Sequence, residues 1–78
     1  MEKIYLNVEC LSFRKVHKIL KSVKCIKRIE DVKEGEYILS LKKHSYSESA
    51  KGEIRRAFEK AEVPYYYYML FMESEYYG

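Results

Sequence analysis

Apolar positions along the chain switch between two periods, and each switch marks a change of element. Residues 3–9, KIYLNVE, alternate: Ile4, Leu6 and Val8 fall on one side, with Lys3, Tyr5, Asn7 and Glu9 on the other. A period of two is that of a half-buried β-strand. After Ser12, a residue suited to cap a helix, the period lengthens. Phe13, Val16, Ile19, Leu20 and Val23 recur at three- and four-residue steps, and Arg14, Lys15, Lys18 and Lys21 fall between them. This predicts an amphipathic helix ending near Val23. Residues 24–33 return to alternation, with Cys25, Lys27 and Ile29 in one row and Ile26, Arg28 and Glu30 in the other. Gly35, within KEGE, supplies a turn. Tyr37, Leu39 and Leu41 then alternate with Ile38, Ser40 and Lys42 as a third strand.

A second helix opens at HSYSES, where Ser45 and Glu48 have the spacing of a capping box and Ser47 is a competing cap. Ala50, Ile54, Ala57, Phe58 and Ala61 repeat down one side, and Pro64 stops the helix. Gly52 weakens it by about 1 kcal/mol relative to alanine, but lies near its start. Residues 65–72, YYYYMLFM, read as a last strand, followed by a tail, 73–78. With no repeat, linker or low-complexity tract, residues 1–78 form one domain. This order of elements resembles the ferredoxin-like fold. That resemblance implies an α+β, βαββαβ domain whose four-stranded antiparallel sheet runs in the order 4-1-3-2, with both helices on one face. It extends over nearly the whole chain as a pattern of elements, and many unrelated functions use such a fold.

The last strand departs from the half-wet pattern of the first. Either register sends two of Tyr65, Tyr66, Tyr67 and Tyr68 to each face; Met69 and Phe71 join one row, and Leu70 and Met72 the other. Neither row is polar, and the helices can cover only one. Aromatic side chains bury about 150–250 Å² each, so the uncovered row predicts an apolar patch of the size that marks an interaction surface. The strand is also an edge of the sheet, without lysine or internal proline to discourage pairing. Tyr65, Tyr66, Tyr67, Tyr68, Leu70, Met72 and the tail residues Tyr76 and Tyr77 are therefore the candidate partner-binding residues. The partner is another protein or a second copy of the chain, unless the tail itself covers the patch.

Charge adds a second candidate surface. Residues 1–43 hold 11 Lys/Arg against 6 Asp/Glu, a balance of +5, and residues 44–78 hold 4 against 6, a balance of −2. Arg14, Lys15, Lys18, Lys21, Lys24, Lys27 and Arg28 form a run without one acidic residue. Such a run is a footprint for phosphates or for an acidic partner; the bland alternative is a solvated helix face. A nucleic-acid reading would place Arg14, Lys15, Lys18 and Lys21 on phosphates, with Tyr5, Tyr66 or Tyr68 stacking on bases. Tyr37, however, runs with the core row of the third strand, and no ribonucleoprotein motif surrounds it.

Candidate chemistry is sparse. Cys10, His17, Cys25 and His44 lack the close spacing of a zinc site, and two cysteines are too few for a disulfide scaffold. Acylphosphatase shares the layout but uses an Arg-bearing glycine-rich loop after its first strand, where CLSFRK has no glycine. The CRISPR adaptation nuclease of this fold holds metal with an aspartate at the end of strand one, where this chain has Glu9-Cys10. No enzyme activity, metal or cofactor is expected. No apolar run approaches the roughly 20 residues that span a bilayer, and MEKIYLNVEC is unlike a signal peptide, so a soluble cytoplasmic protein is expected. The small size and Lys/Glu/Ile/Tyr-rich usage look like accessory proteins of AT-rich viruses or mobile elements. The expected function is a non-enzymatic protein-binding module, an inhibitor that blocks a host complex sterically; the alternative is a nucleic-acid-binding protein.

Overall fold

β1, Lys3–Val8, is the strand around which the sheet is assembled. The computed structural model describes residues 2–72 and pairs β1 antiparallel with β3 (Glu36–Leu41) on one side and β4 (Tyr68–Met72) on the other. β2 (Ile26–Lys33) lies outside β3, giving the order β2-β3-β1-β4, which is the expected 4-1-3-2 read from the opposite edge. Two helices, α1 (Phe13–Leu20) and α2 (Ser47–Lys60), complete an α+β architecture. The alternation of β1 decides where the core lies. Ile4, Leu6 and Val8 share one buried cluster with Val16, Ile19 and Leu20 of α1 and with Ala50, Ile54 and Phe58 of α2. Tyr37, Leu39 and Leu41 of β3 join them, as do Tyr68 and Leu70 of β4. No described helix is long and apolar enough to cross a membrane.

Local chemistry sets most element ends. Ser12 caps α1 as expected, its hydroxyl accepting the Lys15 N–H at 3.3 Å. α1 stops at Leu20, short of Val23, because the Ser22 and Val23 N–H groups turn back onto the carbonyls of Ile19 and Leu20; Val23 still reaches the core. At Gly35 the backbone has φ +79, and a Cβ there would lie 2.7 Å from the Val8 carbonyl oxygen. The β2–β3 turn therefore needs glycine twice over, for its dihedral and for its approach to β1.

The expected capping box at Ser45 and Glu48 does not form. Tyr46 is the N-cap of α2 and offers no side-chain bond. Glu2 serves instead, its Oε1 accepting both the Ser47 N–H at 2.9 Å and the Ser47 hydroxyl at 2.6 Å. A carboxylate at a helix N-terminus satisfies free N–H groups and the helix dipole together. The far end of α2 closes in a Schellman turn. Glu62 takes φ 60, and the N–H groups of Glu62 and Val63 donate to the carbonyls of Glu59 and Phe58, each at 2.9 Å.

The expected last strand, 65–72, is shortened to 68–72. Tyr65–Tyr67 form a 3-10 turn capped by Pro64. The cause is the length of β1, which ends at Val8, opposite Tyr68. One further bond runs from the Glu9 N–H to the Tyr67 carbonyl at 2.8 Å, and Cys10 then turns away at φ 64. Tyr65 and Tyr66 have no strand to pair with. They wind instead, with the Tyr67 N–H donating to the Pro64 carbonyl at 3.0 Å and the Tyr68 N–H to the Tyr65 carbonyl.

Candidate functional site

The register of β4 settles which of its rows is covered. Ile4, Leu6 and Val8 stand opposite Met72, Leu70 and Tyr68, so these three belong to the helix-facing row. Met69 and Phe71 belong to the other. Tyr68 is fixed by a stacked contact with Phe58, ring centroids 4.4 Å apart and planes 17° apart. Burial pushes its phenol up from the ordinary tyrosine range, and the Arg55 charge and hydrogen bond oppose that shift.

The same register exposes the backbone. In an antiparallel pair, residues that exchange hydrogen bonds alternate with residues that do not. The Glu9–Tyr67 bond places Tyr67, Met69 and Phe71 on the bonded side toward β1. The N–H and C=O of Leu70 therefore project away from β1, where the sheet of the described residues ends. β4 contains no charged residue. The opposite edge is built differently: β2 carries Lys27, Arg28, Glu30, Asp31 and Lys33, and its register shifts twice. Charges and bulges protect an edge from pairing, and only β2 has them.

Exposed rings flank the open edge. Tyr65 is 76% and Tyr66 67% exposed, and Met69, on the row facing away from the helices, is 59% exposed. The tyrosines form an edge-to-face ladder, with centroids 5.6 Å apart from Tyr65 to Tyr66 and 5.0 Å from Tyr66 to Tyr67. Each ring thus holds the next at low entropy cost. Among the expected partner-binding residues, Tyr65 and Tyr66 are accessible and Tyr67 is half-buried against the core. Tyr68 and Leu70 are core residues, and of the two Tyr68 reaches a surface depression. Met72 shares their row and is half-buried. Tyr76 and Tyr77 lie outside the described residues. Sequence reasoning missed Met69; its signal was the alternation itself, once Tyr68 was placed opposite core residue Val8.

The seven basic residues are not one surface. Arg14, Lys15, Lys18 and Lys21 are exposed on α1 and at its end. Lys24 lies at the corner before β2 and Lys27 within it, and Arg28 pairs with Ser40, in the sheet row that does not face the helices. None of the seven has an ion-pair partner among the described residues, whose pairs are His17–Asp31 at 2.9 Å and Lys33–Glu36 at 3.3 Å. Lys60 of α2 joins Arg14, Lys15 and Lys18 in lining the cleft between the helices. On the other side of α2, Arg55, Glu59 and Glu62 line a depression shared with Tyr65 and Tyr68. Tyr5, on the sheet face opposite the helices between Ile38 and Phe71 in register, is only 4% exposed, so a base has no room to stack on it.

Other polar groups hold the fold. His17 bonds Asp31 and sits edge-on to Phe13 and Tyr37, tying α1 to the sheet. Burial, then the Asp31 charge, raises the Tyr37 phenol. Cys10 and Cys25 are free thiols. Burial, then the neighbouring Glu53 charge, raises the Cys25 thiol, which makes it a poorer nucleophile. His44 occupies a loop position with φ 71. Among the described residues, no three His, Cys, Asp or Glu side chains come together as a metal site. No protein-family model, curated protein or solved structure matches the chain.

Proposed function

We propose that the protein is a non-enzymatic protein-binding module of ferredoxin-like topology that receives an extended segment of a partner protein along β4. The carrying observation is the outward-facing Leu70 backbone on an uncharged edge, bordered by Tyr65, Tyr66 and Met69. Strand addition draws affinity from main-chain hydrogen bonds and specificity from the side chains alongside. Tyrosine suits such a border, because a stiff amphipathic ring contributes contact area with little entropy loss. Acting by occupancy, the module blocks the partner's own contacts, the behaviour of a small steric inhibitor. The cations of the α1–α2 cleft lie across α2 from the rings, which adjoin Glu59 and Glu62 with Arg55 as the one cation beside them. That separation favours a protein partner over a nucleic acid.

Panning a display library of extended peptides tests this reading. Segments that bind the wild-type chain are expected to lose about tenfold or more, some 1.4 kcal/mol, with Met69→Lys or with Tyr65→Ser combined with Tyr66→Ser. All three positions are exposed, so the melting temperature should hold. Sedimentation over a range of concentrations reports whether a second copy can take the same edge. A chain that stays monomeric and selects no peptide dependent on these positions contradicts the proposal.

A further inference from the structure

We infer that the cleft between α1 and α2 is a second docking site, and that its occupant is an acidic amphipathic segment of a protein. The rims are cationic, with Arg14, Lys15 and Lys18 from α1 and Lys60 from α2, and among the described residues no acidic side chain lines the cleft. The four cations have no ion-pair partner among the described residues. Arg14 and Lys15 also stand in the first turn of α1, which contains no acidic residue. There they face the positive end of the helix dipole, so carboxylates from outside would relieve both repulsions.

The floor distinguishes an acidic peptide from a nucleic acid. Ile19, Ala57 and Ala61 lie between the charged rims, and the two alanines are half-buried, short side chains. A phosphate backbone gains nothing from apolar floor atoms, whereas the apolar stripe of an amphipathic helix can bury against them. Among the described residues no aromatic ring lines the cleft, and the exposed Tyr65 lines a separate depression across α2, away from Lys15 and Lys18. Shape and charge together therefore select glutamate or aspartate side chains on an apolar backing.

Fluorescence anisotropy with defined probes tests the site. The first probe is a labelled peptide of roughly 14 residues, about four helical turns, with leucine at positions i, i+3, i+4 and i+7 and glutamate elsewhere. The others are polyglutamate of equal length and random single- and double-stranded oligonucleotides. The amphipathic peptide is expected to bind at about 50 mM salt and more weakly at about 200 mM, as screening requires. Lys15→Glu with Lys18→Glu, or Lys60→Glu, should weaken it tenfold or more. Polyglutamate and the oligonucleotides should bind at least tenfold less tightly than the peptide. Tyr65→Ser with Tyr66→Ser should leave its affinity unchanged, which separates failure here from failure at β4. No peptide binding at low salt would overturn the inference. So would equal or tighter binding of either other probe, or wild-type affinity in folded charge-reversal variants.

Discussion

Glu62 holds a left-handed backbone, φ 60, where an L-residue with a Cβ costs about 1–2 kcal/mol. It stays there because the Schellman bonds of Glu62 and Val63 close α2 and seat Val63 in the core. Glu62→Gly should therefore stabilise the protein by about 0.5–1 kcal/mol, the strain relieved less the added entropy of the unfolded chain. In a domain of this size that raises the melting temperature by several degrees. Gly35→Ala is the opposite case, combining φ +79 with a Cβ 2.7 Å from the Val8 carbonyl. It should lower stability by about 2 kcal/mol or more, measured as a fall in the urea midpoint. Gly35 and the Ser12 cap were legible in the sequence because their causes are local. The left-handed Glu62 was not, since nothing in AEVP calls for a non-glycine residue in that conformation.

Among the elements, α2 and β4 show where periodicity stops being informative. The spacing of Ala50, Ile54 and Phe58 predicts α2 correctly, yet its cap comes from Glu2, 45 residues away, which no local motif encodes. The hydrogen bonds from Ser47 hold the Glu2 carboxyl below the ordinary carboxylate range. A depressed folded value means that its contribution is present above about pH 4.5 and is lost as pH falls through the folded value. Urea midpoints of wild type and Glu2→Gln should differ at neutral pH and converge as pH falls through the folded value; a constant gap would show that ionisation plays no part. In the run 65–68 the four tyrosines look alike to any period-two rule. Tyr68 was assigned to the core only by its register with Val8 and its stacking on Phe58, and Tyr65 and Tyr66 left the strand because β1 ran out. The sheet order was legible, because β1 and β3 alternate cleanly. The accessible part of the tyrosine run was not.

At the scale of the whole molecule, α2 divides two kinds of surface. Toward α1 lies a cleft rimmed by cations that have no ion-pair partner among the described residues; toward β4 lie exposed rings and an edge strand without charged residues. The charge polarity that the sequence displays along the chain becomes a polarity in space, although Lys60 crosses from the acidic half to complete the basic rim. Ligands of the two sides should respond differently to salt. Binding at the cleft should fall steeply between about 50 and 200 mM, and binding at the β4 edge should change little, since exposed charges are screened and main-chain hydrogen bonds are not. Comparable salt slopes for both would mean that charge, not strand addition, drives capture at β4.

Amide hydrogen exchange along β4 in dilute solution tests the open edge most directly. Met69 donates toward β1 and should be protected, while the outward Leu70 N–H should exchange much faster despite its buried side chain. Leu70 should become protected when a bound segment fills the edge. Protection of Leu70 equal to that of Met69 in a dilute monomer would show the edge already closed by the chain itself, and would contradict the proposed docking surface.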